Sequence, residues 1–264
     1  MLFRSHAWDH LVQNVDPSKP NYYPTIVDHP ELLNINYNTQ KDWMHMNGVD
    51  YNPILDQIVF SSHYLNEWYI IDHSTTTAEA ASHSGGNAGK GGDILYRWGH
   101  PINYGATGTS ILNVTHDAHW IPEDAPNAGR LVGFNNNGVS SAISSVDQID
   151  VPRVDYNYSH NAGAAYLPAS YTARHACSGH SSNMGNSQQL PNGNQLVCVA
   201  TSGLIYEINP SGTTIWSKQL SGSCPQAFRY DTCYANNVAP AIPVIRSEEH
   251  TSELQSRVDI SYAV

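Results

Sequence analysis

Three stretches of the 264-residue chain follow one plan, a short strand followed by further strands on tight turns, and each opens near a histidine. The first is Asp42-Trp-Met-His45-Met-Asn47-Gly-Val-Asp50-Tyr-Asn-Pro53, continued at 57–60, 68–71 and 94–98. The second begins at His116-Asp-Ala-His119-Trp120 and continues at 130–135. The third begins near His180 and runs through Leu190-Pro-Asn-Gly-Asn194, 195–200, 204–208 and 213–218. Pro191-Asn-Gly-Asn194 and Asn209-Pro-Ser-Gly212 read as turns, because Gly and Asn tolerate positive φ. The runs between them are short and rich in branched residues, as strands are. A repeated unit of antiparallel strands predicts an all-β chain of β-propeller blades, with the first strand of each blade lining a central channel. Histidines repeated on those first strands would converge on one point from different blades.

Composition fits a turn-rich β domain: 19 Gly, 15 Pro and 16 Tyr, with 13% charged residues and a net charge of −11. No helix of ten residues is expected before Pro240. An acidic chain without a Lys/Arg cluster argues against a nucleic-acid partner, and no apolar run is long enough to span a membrane. Cys177, Cys198, Cys224 and Cys233 lack metal-site spacing. Their even number in a Tyr-, Asn- and Gly-rich chain predicts an exported protein, periplasmic or secreted, with Cys224 and Cys233 spaced for a bridge.

Both ends call for separate treatment. Arg246-Ser-Glu-Glu-His-Thr-Ser-Glu-Leu-Gln-Ser256 matches the translation of a common sequencing adapter, so residues 246–264 are expected to be a non-native tail that packs against nothing. Residues 1–245 are then expected to form the domain. At the start, Leu2-Phe-Arg-Ser-His-Ala-Trp-Asp9 looks like the outer strand of a blade whose earlier strands are absent. The expected architecture is an incomplete arc of roughly three blades plus flanking strands, since closure would need more.

Several long motifs identify a family. Asp42-Trp-Met-His-Met-Asn-Gly-Val-Asp-Tyr-Asn-Pro, Ser61-Ser-His-Tyr-Leu-Asn-Glu, Ile71-Asp-His-Ser-Thr-Thr-Thr, Gly91-Gly-Asp-Ile-Leu-Tyr-Arg-Trp-Gly99 and His116-Asp-Ala-His-Trp resemble the arylsulfotransferases. The likeness is strongest to exported aryl-sulfate sulfotransferase-like proteins of environmental bacteria. Leu190-Pro-Asn-Gly-Asn and Pro225-Gln-Ala-Phe-Arg-Tyr fit the same group. The resemblance implies a six-bladed propeller that moves a sulfuryl group from a phenolic sulfate to a phenol. It implies a covalent sulfo-histidine, no nucleotide sulfate donor and no other cofactor. Such chemistry suits histidines in a channel: a neutral imidazole is a competent nucleophile, and a second one can move protons near neutral pH.

The resemblance carries His45 and His116 onto active-site histidines and leaves the third ambiguous. Asn183 stands where that histidine is expected, with His180 three residues earlier. The catalytic candidates are therefore His45, His116 and His180. His119, Asn47, Asn183 and Arg229 are the substrate-binding candidates. The family's channel arginine has no counterpart after Asn135-Asn-Asn-Gly138, which leaves Arg97, Arg174 and Arg229 as substitutes. His116 and His119 on a regular strand would face opposite sides, which speaks against a shared metal, and no metal site is expected. His63 and His73 fall off the inner strands, and His73 reads as a loop-fixing residue. Residues 82–92 read as a plain insertion loop. Trp43, Trp68, Trp98 and Trp216 read as blade packing. A non-catalytic binding module on the same fold is the alternative function.

Overall fold

The computed structural model describes residues 4–230. Three four-stranded antiparallel sheets hold most of them, each built from strands consecutive in sequence. The first blade is β1 (Met46–Asn52), β2 (Gln57–Ser62), β3 (Glu67–Asp72) and β4 (Ile94–Trp98). The second is β5 (Thr115–Trp120), β6 (Leu131–Ser140), β7 (Ile143–Ile149) and β8 (Ala173–Ala176). The third is β9 (Asn186–Gln189), β10 (Gln195–Val199), β11 (Leu204–Ile208) and β12 (Thr214–Gln219). The fold is all-β and propeller-like, as the repeats predicted. Helices among the described residues are single turns of three or four residues, and none is long and apolar enough to cross a membrane.

Turn chemistry sets the register within each blade. Asn52 Oδ1 accepts the N–H groups of Ile54 and Leu55, both at 3.0 Å, closing the turn from β1 to β2. Gly193, at φ 88°, lets the chain reverse between β9 and β10. Asn209 Oδ1 accepts from Ser211 and Thr213 before β12 begins.

Blades pack face to face. One apolar cluster joins Trp68, Ile70 and Trp98 of the first blade to Ala118, Trp120, Leu131 and Ile149 of the second. Another joins Val132, Phe134 and Val146 of the second to Val197, Val199 and Tyr206 of the third. The second blade is thus covered on both faces, which explains why nearly every residue of 131–136 and 144–149 is buried. Trp68 is fully buried, tilted against Trp98 with ring centroids 5.0 Å apart, and its indole N–H donates to Thr115 Oγ1 of the second blade at 2.8 Å. Gly133 of β6 makes room for it: a Cβ there would lie 2.5 Å from a Trp68 ring carbon.

Two expectations need correcting. The start of the chain is not an outer blade strand. Ala7–His10 forms a 3₁₀ turn, and Leu11–Val12 pairs in parallel with Leu33–Asn34 outside the blades. The first blade already has four strands of its own, and His6 stacks on Trp8 at 4.6 Å instead of joining a ladder. The third blade begins at Asn186, so His180 lies in the approach to β9 and not on it. The tail 246–264 and Cys233 lie outside the described residues; Cys177, Cys198 and Cys224 are buried free thiols.

Gly133→Ala should drive a methyl into the Trp68 ring and destabilise the protein by about 1–3 kcal/mol. Chemical denaturation reads this directly, and an unchanged midpoint would mean that the first two blades do not lock through Trp68.

Candidate active site

The hairpin β1–β2 delivers two histidines to the same end of the first blade. Met46 pairs with Ser62, so His45 and His63 form the next rung, joined by the His63 N–H donating to His45 O at 3.0 Å. Their rings meet edge to face at 5.2 Å, and Tyr64 contacts both, at 5.3 Å from His45 and 4.4 Å from His63. Across the blade boundary His116, on β5, meets His63 at 5.6 Å. Three histidines and a tyrosine thus converge where the inner strands of two blades come together, as the repeat pattern anticipated for His45 and His116. His63 was assigned off the inner strand. The hairpin register was the signal that could have found it, since any strand turn that aligns Met46 with Ser62 aligns His45 with His63.

The nitrogens of these rings have distinct roles. His45 Nδ1 is bonded to the carboxylate of Asp42. A carboxylate only accepts, so Nδ1 carries a proton, and in the neutral ring Nε2 keeps its lone pair. His45 remains about half exposed (44% of its side chain). His63 Nδ1 is buried with no hydrogen-bond partner, and burial together with the neighbouring His45 lowers its pKa. His116 is held at both nitrogens: Nδ1 lies 2.8 Å from Asn136 Oδ1, and Nε2 accepts the Met184 N–H at 3.1 Å. Asn136 is oriented in turn by donating to Ser181 O and Met184 O. Burial, then the facing His63 and His45, push His116 down to about 4, so it is neutral at physiological pH.

The other candidates are placed around this centre. His180 Nε2 bonds Asn137 Oδ1 at 2.9 Å, one residue beyond the amide that holds His116. Asn47 bridges blades, donating to Thr115 O at 2.8 Å while accepting from Ser61 Oγ at 2.7 Å. Asn183 is exposed, and its carbonyl accepts from Ser181 Oγ. His119 turns its Nδ1 to Asp117 O, with the Asp117 carboxylate at 3.4 Å. Although burial opposes the charge, Asp117 and Asp50 raise it to about 9. A bulge separates His116 from His119, whose cross-strand partners Phe134 and Val132 are alternate residues of β6. The two rings therefore do not take opposite faces, as a regular strand would require, yet their nitrogens have separate partners.

All three arginines that the sequence offered are committed to carboxylates. Arg97 is fully buried and bidentate to Glu67, at 2.9 and 2.5 Å, and also donates to Pro30 O and Leu32 O. Arg174 grips both oxygens of Asp147 at 2.6 Å. Arg229 pairs with Glu207 at 2.8 Å, beside Trp216. Arg97 ties β3 and β4 of the first blade to the 30–32 segment, and Arg174 ties β8 to β7 and β6 within the second. His73 bonds Asp56 at 2.6 Å, fixing its loop as expected.

The backbone is unusual at this centre. His45 (φ 47°), Val114 (φ 55°), Asp117 (φ 59°) and Met184 (φ 58°) all adopt left-handed conformations that non-glycine residues seldom take. Asn66 Oδ1 pins Val114 by accepting its N–H at 2.6 Å.

The chain is all-β and propeller-like, with histidines meeting where two of its blades adjoin. The arylsulfotransferase family model matches residues 10–235, and the chain belongs to that family. No curated protein matches it in sequence. Among solved structures, a protein of unknown function from Bacteroides caccae is similar at 16% identity, with a TM-score of 0.39 over 70% of this chain and 50% of that chain. The present chain therefore spans about half the length of that protein.

His116 and His119 should bend stability with pH in opposite directions. The folded pKa of His116, about 4, lies below its unfolded value of about 6.5, so its contribution is present above pH 6.5 and is lost as pH falls towards 4. The folded pKa of His119, about 9, lies above its unfolded value, so its contribution is present below pH 6.5 and is lost as pH rises through 9. Denaturation midpoints across this range should peak near pH 6.5. His119→Gln should flatten the alkaline side alone.

Proposed function

We propose that the protein is an aryl-sulfate sulfotransferase in which His45 is the nucleophile and His63 moves the proton. The Asp42–His45 pair beside His63, with its buried unpartnered nitrogen, carries this reading. The family supports sulfotransferase chemistry on small aryl substrates in general. The assignment of donor, acceptor and roles is ours.

In the first half-reaction the Nε2 lone pair of His45 attacks the sulfur of an aryl sulfate. An N–S bond forms as the S–O bond to the aryl group breaks, and the phenolate leaves with the bonding pair. Asp42 keeps Nδ1 protonated and so offsets the positive charge that grows on the ring. The phenolate is protonated from solvent, which receives a proton back from His63 after the second half-reaction. In the second half-reaction His63 accepts the proton of an incoming phenol, the phenol oxygen attacks sulfur, and the N–S electrons return to His45. His63 suits this better than His116, whose two nitrogens are already taken by Asn136 and Met184. His116 is then a positioning residue. Tyr64, packed on both His45 and His63, offers an aromatic wall for the phenyl ring.

The second reading is a non-catalytic binding module. It is favoured by the arginines, since Arg97, Arg174 and Arg229 each neutralise a carboxylate and none is left over for sulfate oxygens.

The test is transfer from p-nitrophenyl sulfate to phenol by the full-length protein. His45→Ala should abolish nitrophenol release, and His63→Gln should lower it about 100- to 10,000-fold. Both should fold normally. Release that survives both substitutions would remove these residues from the mechanism, and an inactive parent over a panel of phenolic donors would favour the binding module.

A further inference from the structure

A second histidine cluster shares no residue with the first. His10 ends the 3₁₀ turn Ala7–His10, His83 lies in the glycine-rich loop after the Thr77–Ala80 helix, and Asp93 immediately precedes β4. His10 Nδ1 and His83 Nδ1 both point at one oxygen, Asp93 Oδ1, at 2.8 and 2.7 Å. One ligating atom from each residue lies within 4.8 Å of the other two. His10 and Asp93 are buried, at 3% and 5% exposure, and His83 is open to solvent.

The orientation of His10 is informative. Its Nε2 lies 2.8 Å from Ala80 O, and a carbonyl can only accept, so Nε2 carries a proton. In the neutral ring, Nδ1 then presents a lone pair to a carboxylate oxygen, which is also an acceptor. A cation must lie between them, either a second proton or a metal ion. An N–H donated to a backbone carbonyl from the far side of the ring is the usual support of a metal-binding histidine. The loop is shaped closely around it: a Cβ on Gly92 would fall 2.5 Å from His10 Nε2 and 2.0 Å from Ala80 O.

We propose that His10 Nδ1, His83 Nδ1 and the Asp93 carboxylate bind a divalent transition-metal ion, zinc by preference, which clips the N-terminal segment to the loop ahead of β4. Ligands around tetrahedral zinc at about 2.1 Å stand about 3.4 Å apart. The observed contacts and the 4.8 Å outer limit bracket that spacing, and the solvent-exposed His83 ring is free to take up the adjustment. Two imidazoles and one carboxylate suit zinc, with water completing the coordination on the open side. The competing arrangement is a metal-free ion pair, with the bridging proton on His10.

Calorimetric titration of Zn²⁺ into the chelator-treated full-length protein separates the two. One saturable site is expected, together with a rise in thermal midpoint at saturation. His83→Ala, at an exposed ring that leaves the fold alone, should weaken zinc binding at least tenfold and abolish the rise. Co²⁺ should give the intense visible absorption of a four- or five-coordinate site in the parent and lose it in Asp93→Asn. Zinc binding of equal strength in His83→Ala, or no saturable site in the parent, would overturn the proposal and leave the ion pair. Because the readouts are binding and stability, the result is independent of whether the sulfotransferase reading holds.

Discussion

Trp68 sets the distance on which the site depends. It leaves the first blade, fills the space over Gly133 and hydrogen-bonds Thr115, the residue before His116. His45 and His63 belong to one side of that contact and His116 to the other. The edge-to-face approach of His63 and His116 is thus a consequence of how far a fully buried indole holds two sheets apart. Interiors are close-packed and do not deform smoothly, so the wedge fixes the spacing of the rings as firmly as their own hydrogen bonds do.

Hydrogen bonding then differentiates three chemically identical side chains. Asp42 engages Nδ1 of the half-exposed His45. Asn136 and the Met184 N–H use up both nitrogens of His116. His63 receives no partner at Nδ1. A fourth, His119, is drawn by Asp117 and Asp50 into the charged form. Neighbouring acceptors and donors, far more than ring position, decide which nitrogens of these histidines are occupied and which ring is charged.

Blade number, strand order and turns were legible in the sequence because they follow from local chemistry. Asn and Gly at the hairpins and branched residues between them need no tertiary information. His45 and His116 were legible for the same reason, each lying at the head of a repeat. His63 was hidden by the bulge in β1, which shifts the pairing between Met46 and Gly48, so counting along a regular strand misplaces its partner. The arginines misled because a guanidinium looks the same in sequence whether it meets sulfate or, like Arg97, a buried glutamate. The His10–His83–Asp93 cluster had no spacing to detect, since its members are brought together by the closure of the first blade and the loop before β4. The start of the chain looked like an outer strand, but the first blade completes its four strands with Ile94–Trp98, and Leu11–Val12 pairs with Leu33–Asn34 instead.

The left-handed residues around the centre set evolution a conflict. Holding His45, Val114, Asp117 and Met184 at positive φ works against folding, on the order of 1–3 kcal/mol for each poorly tolerated case. A glycine at any of the four would relax the backbone. At 45 it would also delete the imidazole, and at 117 the carboxylate that charges His119. A relaxed backbone and these side-chain contacts therefore pull in opposite directions at the two positions. The identity of residue 45 is therefore a record of whether the contacts with Asp42 and His63 are still being kept.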